Sequence, residues 1–76
     1  MEANYKVDFV WDDEAQVWVA TSREVQGFAL EHGSFDVLVE RVKLALPDFI
    51  KEIEMPYDNI VLEYNALKTE RLAYSG

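Results

Sequence analysis

Apolar and polar residues alternate from Tyr5 to Trp11, with Tyr5, Val7, Phe9 and Trp11 on one side of the alternation. A period of two is the mark of a strand with one buried face. The polar run "DDEAQ" (12–16) interrupts it, and "VWVAT" (17–21) resumes with strong β-formers, so the two segments predict a hairpin. If the turn sets Trp11 opposite Val17, Phe9 meets Val19 and Val7 meets Thr21, and the apolar rows share one face. The other face then carries Lys6, Asp8 and Val10 beside Trp18, Ala20 and Ser22. "REVQG" reads as a loop turned by Gly27, and Phe28 to Glu31 as a short third strand stopped at Gly33.

After Ser34 the period changes. Phe35, Leu38, Val39, Val42, Leu46, Phe49, Ile50 and Ile53 hold a 3.6-residue stripe, with Glu40, Arg41, Lys43, Lys51 and Glu52 filling the rest. Ser34 fits the N-cap and Asp36 suits the positive end of the helix dipole. Val37 stands where a full capping box has an acid. Pro47 inside the stripe should kink the helix or end it near Leu46, and the favoured reading is a helix over about 34–46 and a shorter one over about 47–54. "MPYDN" is a loop, and Ile60, Leu62, Tyr64 and Ala66 alternate again as a fourth strand. Residues 68–76 either extend that strand or form a tail.

The order is β-β-β-α-β: a single α+β domain over residues 1–76, an antiparallel-rich curled sheet with helix packed on one face. One helical layer leaves the other face bare, with Trp18 and Val10 beside Asp8. Large apolar side chains on an open face mark an interaction surface. Val37 and Leu44, off the core stripe of the helix, extend the same expectation. The alternative is that the C-terminal tail folds over that face.

Composition narrows the partner. Seventy-six residues with 50% apolar content can fold but bury only roughly 60% of their unfolded surface, so oligomerisation is expected. Fifteen acids against seven bases give −8, which disfavours nucleic acid and anionic membranes and would steer a basic protein. There is no Cys, which excludes thiolate chemistry, disulfides and Cys-bound metal. No apolar run reaches the ~20 residues of a membrane span, and "MEANYKVD" lacks a signal-peptide pattern, so a cytoplasmic protein is expected.

Catalytic chemistry finds little support. His32 is the sole histidine, in the turn "EHGS", and reads as a solvated loop residue. Asp12, Asp13 and Glu14 are consecutive and diverge in an extended chain, so they read as a polar turn. Asp8 on a strand and Glu40 on the following helix resemble a metal-sharing pair, but by period Asp8 faces away from the helix. Gly27, Gly33 and Gly76 are isolated and build no phosphate loop. No metal, cofactor or enzymatic activity is expected.

An aromatic strand, an acidic turn, "VWVATS", a loop ending in "QG", a short strand and then "SFDVLVERVKLALPDFI" resemble the HicB-like antitoxin family, most of all its short branch of unknown function. The resemblance covers about residues 5–54 and rests on Val7–Ala20, Val25–Phe28 and Leu46-Pro47-Asp48-Phe49. It implies a partial ribonuclease-H-like fold without catalysis, dimers or tetramers, and neutralisation of a small basic mRNA-cleaving toxin by masking its surface. Longer members add a DNA-binding segment, which a chain ending at Gly76 is expected to lack. Gln26 stands where many relatives have Pro. The expected contact residues are Asp8, Val10 and Trp18 on the open face, with Asp12, Asp13 and Glu14 at its end. The rival expectation is a stand-alone homo-oligomer with no toxin partner, burying that face against itself.

Overall fold

A computed structural model describes residues 2–50 and 59–74. Strands β1 (Glu2–Asp12), β2 (Val17–Thr21) and β3 (Ala29–His32) precede helix α1 (Phe35–Ile50), and β4 (Asn59–Leu67) closes the order. This is the expected β-β-β-α-β arrangement. The sheet runs β3-β2-β1-β4, antiparallel at its first two joints and parallel between β1 and β4.

The hairpin register differs from the sequence expectation by one residue. Asp12 pairs with Val17, so Trp11 faces Trp18, Phe9 faces Ala20 and Asp8 faces Thr21. Local chemistry closes the loop one residue early. The Asp12 carboxylate accepts the amides of Glu14 (3.1 Å) and Ala15 (3.2 Å), the Asx-turn habit of aspartate. Gln16 takes a left-handed φ of 56° and its side-chain amide donates to the Asp13 carbonyl. A one-residue slip moves a whole strand's side chains to the other face. Trp18, Ala20 and Ser22 therefore turn toward α1, and Val17, Val19 and Thr21 turn outward.

That slip assembles the core. On the helix side, Val7, Phe9, Ala20, Leu38, Val42 and Leu46 are fully buried. Ala20 is small, which lets α1 approach β2, while Leu30 packs beside it. Five rings run in sequence: Trp11 to Trp18 at 5.6 Å, Trp18 to Phe35 at 5.0 Å, Phe35 to Phe9 at 4.9 Å and Phe9 to Tyr64 at 5.4 Å. Tilted and edge-on pairs of this kind add about 0.5–1.5 kcal/mol each beyond the area they bury.

The helix starts where Ser34 caps it, its Oγ accepting the Val37 amide and its carbonyl the Leu38 amide. It does not break at Pro47 but continues to Ile50. The proline forfeits one backbone hydrogen bond, a loss offset by the burial of Leu46 and Ile50 on either side of it. Residues 51–54 of the expected second helix lie outside the described residues. At the β2–β3 loop the Phe28 amide donates to the Val25 carbonyl (3.2 Å), and Gly27 has a φ of +83°. Together these make a type II turn, which demands a positive φ at its third residue. Gln26 occupies the second position, where that turn welcomes proline.

Candidate functional site

The face of the sheet turned away from α1 carries no covering element among the described residues. Alternation along β1 brings Lys6, Asp8 and Val10 to it, and the observed register sets Val10 between Val19 of β2 and Leu67 of β4. Val10 is 48% exposed and Leu67 63%. Next to this apolar row runs a polar one, in which Asp8 lies between Thr21 and Asn65. Arg23 Nε approaches the Asp8 carboxylate at 3.8 Å, and Lys6 approaches Glu63 at 4.0 Å. A shallow groove of about 440 Å³ follows these rows, lined by Asp8, Val10, Thr21, Arg23, Asn65 and Leu67. The surface can hold an extended apolar segment with polar contacts at one side. It presents no convergent nucleophile and base.

The structure brings together only part of the expected contact set. Asp8 and Val10 face the open side, and Asp12 ends the same strand. Trp18 does not join them. It lies on the helix side between Trp11 and Phe35, because Asp12 rather than Trp11 opposes Val17. Asp13 and Glu14 sit in the hairpin loop. The Asp13 carboxylate accepts Trp11 Nε1–H (3.3 Å) and the Gln16 amide (3.2 Å), so Asp12 and Asp13 build the turn first. Glu14 is exposed.

Val19 and Leu67 were the residues missed. The register expected from the sequence puts Val19 in the core. Leu67 follows Ala66 at an odd position, and the odd positions of β4 become visible as a face only once β4 lies beside β1. Asp8 and Glu40 stand on opposite sides of the sheet, the latter with Lys43 at 3.2 Å. Among the described residues no group of three His, Cys, Asp or Glu side chains is placed to hold a metal ion. His32 Nδ1 accepts the Ser34 amide at 2.9 Å, which ties the histidine to the entry of α1.

Among the described residues the tail leaves the open face uncovered. Residues 68–74 are exposed throughout, and Lys68 Nζ stands 4.3 Å from the centre of the Trp11 ring. Lys68, Thr69, Glu70 and Arg71 thereby wall a mostly polar hollow of about 640 Å³ against Trp11 and the hairpin loop. On α1, Val37 and Leu44 point outward, Leu44 at 77% exposure. No helix among the described residues is long and apolar enough to cross a membrane.

Fold and site together define a small α+β domain whose mixed sheet packs α1 on one face and, among the described residues, leaves the other uncovered. Residues 4–75 match the family model described as Domain of unknown function (DUF1902), and the chain belongs to that family. The crystal structure of the hypothetical protein TTHA1013 from the extremely thermophilic bacterium Thermus thermophilus is similar over 93% of this chain and 99% of that one. Its identity is 30% and its TM-score 0.74. Comparison with curated proteins gives no match. The likeness to HicB antitoxins stays one of motifs.

Proposed function

We propose that the chain is a non-enzymatic, cytoplasmic protein-binding module, antitoxin-like, that masks a small basic toxin with its open sheet face. One observation carries this reading: an uncovered face on which the apolar row Val10, Val19 and Leu67 runs beside Asp8. Exposed apolar rows rimmed by polar residues are characteristic of protein interfaces. The net charge of −8 favours a basic partner, chiefly by speeding encounter. The HicB-like motifs support the same role. Asp8 and Val10 stay in the contact set, with Asp12, Asp13 and Glu14 as steering charges at its end, while Trp18 leaves it for the core.

The test mixes the chain with the small basic protein encoded beside its gene and reads the mass by light-scattering chromatography. A mixed complex is expected, with an association rate that falls as salt rises. Val10→Arg and Asp8→Arg should each weaken it at least tenfold, the scale of losing one central interface contact worth about 1.4 kcal/mol or more. Absence of any complex, or a complex indifferent to both substitutions, would sink the proposal.

A further inference from the structure

The two edges of the sheet are guarded very differently. β3 ends one side with four residues and carries Glu31 and His32. β4 ends the other with nine residues and one charged side chain, Glu63, which already has Lys6 at 4.0 Å. Natural edge strands are blunted by shortness, charge, proline or a bulge, because unpaired N–H and C=O groups recruit another strand. Among the described residues β4 shows none of these devices, and Ile60, Val61, Tyr64 and Leu67 are all exposed on it. The third unpaired stretch, β1 before Asp8 on its β2 side, is partly stopped, since the Glu24 carboxylate takes the Lys6 amide at 3.0 Å. The chain is also extended. Its radius of gyration is 15.1 Å, against about 11 Å for a compact domain of this length.

We propose that two copies join antiparallel through their β4 strands, with the two-fold axis at Tyr64, to form one continuous eight-stranded sheet. An axis normal to the sheet keeps both open faces on the same side, so opposed residues must share a face and the centre must fall on a residue. Charge then selects which one. Centring on Glu63 sets two carboxylates against each other. Centring on Leu62 puts Glu63 against the partner's Val61, and centring on Asn65 puts it against the partner's Leu67. Centring on Tyr64 avoids all three: Val61 meets the partner's Leu67, Leu62 the partner's Ala66 and Glu63 the partner's Asn65. The apolar row Val19, Val10, Leu67 then continues into the partner's Val61. The bare face becomes a single surface of twice the width. This dimer stands whether or not a toxin binds.

The full chain alone, followed by light scattering over a concentration series, should reach twice its 8.8 kDa mass. The chain has no cysteine, so Tyr64→Cys should form a disulfide-linked dimer under air oxidation. Glu63→Cys and Asn65→Cys, one residue off the axis, should not. Val61→Glu places a charge against the partner's Leu67 and should return the mass to monomer with the circular dichroism unchanged. Asn65→Lys faces the partner's Glu63 twice and should lower the dimer's dissociation constant several-fold, a gain that no unfolded variant could give. A monomer at every concentration overturns the proposal. So does a dimer unmoved by Val61→Glu and Asn65→Lys, or cross-linking at residue 63 or 65 in preference to 64.

Discussion

Phe9 and Val10 are neighbours in sequence and opposites in environment. Phe9 is fully buried between Phe35 and Tyr64, and Val10 is 48% exposed on the other side of the same strand. The contrast extends to the regions they belong to. α1 lies over β2 and β3, where Trp18, Ala20 and Leu30 receive it, and leaves the inner side of β4 half open at Tyr64. A helix about 10 Å across covers only two or so strands spaced ~4.8 Å apart. Among the described residues the inner side of β1 is nonetheless buried at Tyr5, Val7 and Phe9, so the sheet gives one face to the core and leaves the other as surface. Core and exposed surface are divided between the two faces of the same strands.

The largest expected effect breaks that contrast directly. Phe9→Ala should cost about 3–5 kcal/mol, most of the stability of a domain this size, and Trp18→Ala about 2 kcal/mol because it is half-buried. Val10→Ala should stay within about 0.5 kcal/mol. Urea denaturation of the three variants decides the matter. A Trp18→Ala chain as stable as the unmodified one would return Trp18 to the open face and undo the observed register.

A smaller effect of opposite sign lies at the edge of the core. Among the described residues Ser22 Oγ is buried without a hydrogen-bond partner, on the side to which β2 turns its even positions. A buried hydroxyl left unpaired destabilises, so Ser22→Ala should raise stability by about 1 kcal/mol. A loss of stability in the same denaturation experiment would mean the hydroxyl has a partner.

The finest probe sits on the half-open side. Burial raises the Tyr64 phenol above its ordinary 10.0, with Lys43 pulling it down and Glu40 pushing it up. The neutral phenol is the form the fold prefers. The stabilisation from Tyr64 is therefore fully present below pH 10 and lost as pH rises through the folded value. Phenolate absorbance should show Tyr64 ionising late, and the chain should lose more stability above pH 10 than Tyr64→Phe does. Equal pH profiles for the two would show Tyr64 to be as wet as the tail.

Much of this was legible along the chain. The period-two runs gave β1, β2 and β4, the 3.6-residue stripe gave α1, and Ser34 and Gly27 marked its start and the turn before β3. Asp8 and Val10 were readable as open-face residues because strand parity alone separates them from Phe9. Val19 and Leu67 were not, since their facing depends on which residue of a neighbouring strand they oppose.

Periodicity is a local property, imposed by backbone geometry and the need to bury one side, so the sequence by itself determined the elements, their order and the acidic, cysteine-free character of the surface. Register and neighbourhood are non-local. Closing the hairpin at Asp12 rather than Trp11 exchanges Val17 and Val19 for Trp18 and Ala20 beneath α1; the Asx turn at Asp12 favours that closure, and ring packing against Phe35 on another element reinforces it. Only the tertiary structure also decided that β4 lies parallel to β1 and that α1 runs on through Pro47. A strand accepts either direction of neighbour, and a single proline forfeits too little to stop a helix that Leu46 and Ile50 anchor in the core on either side of it.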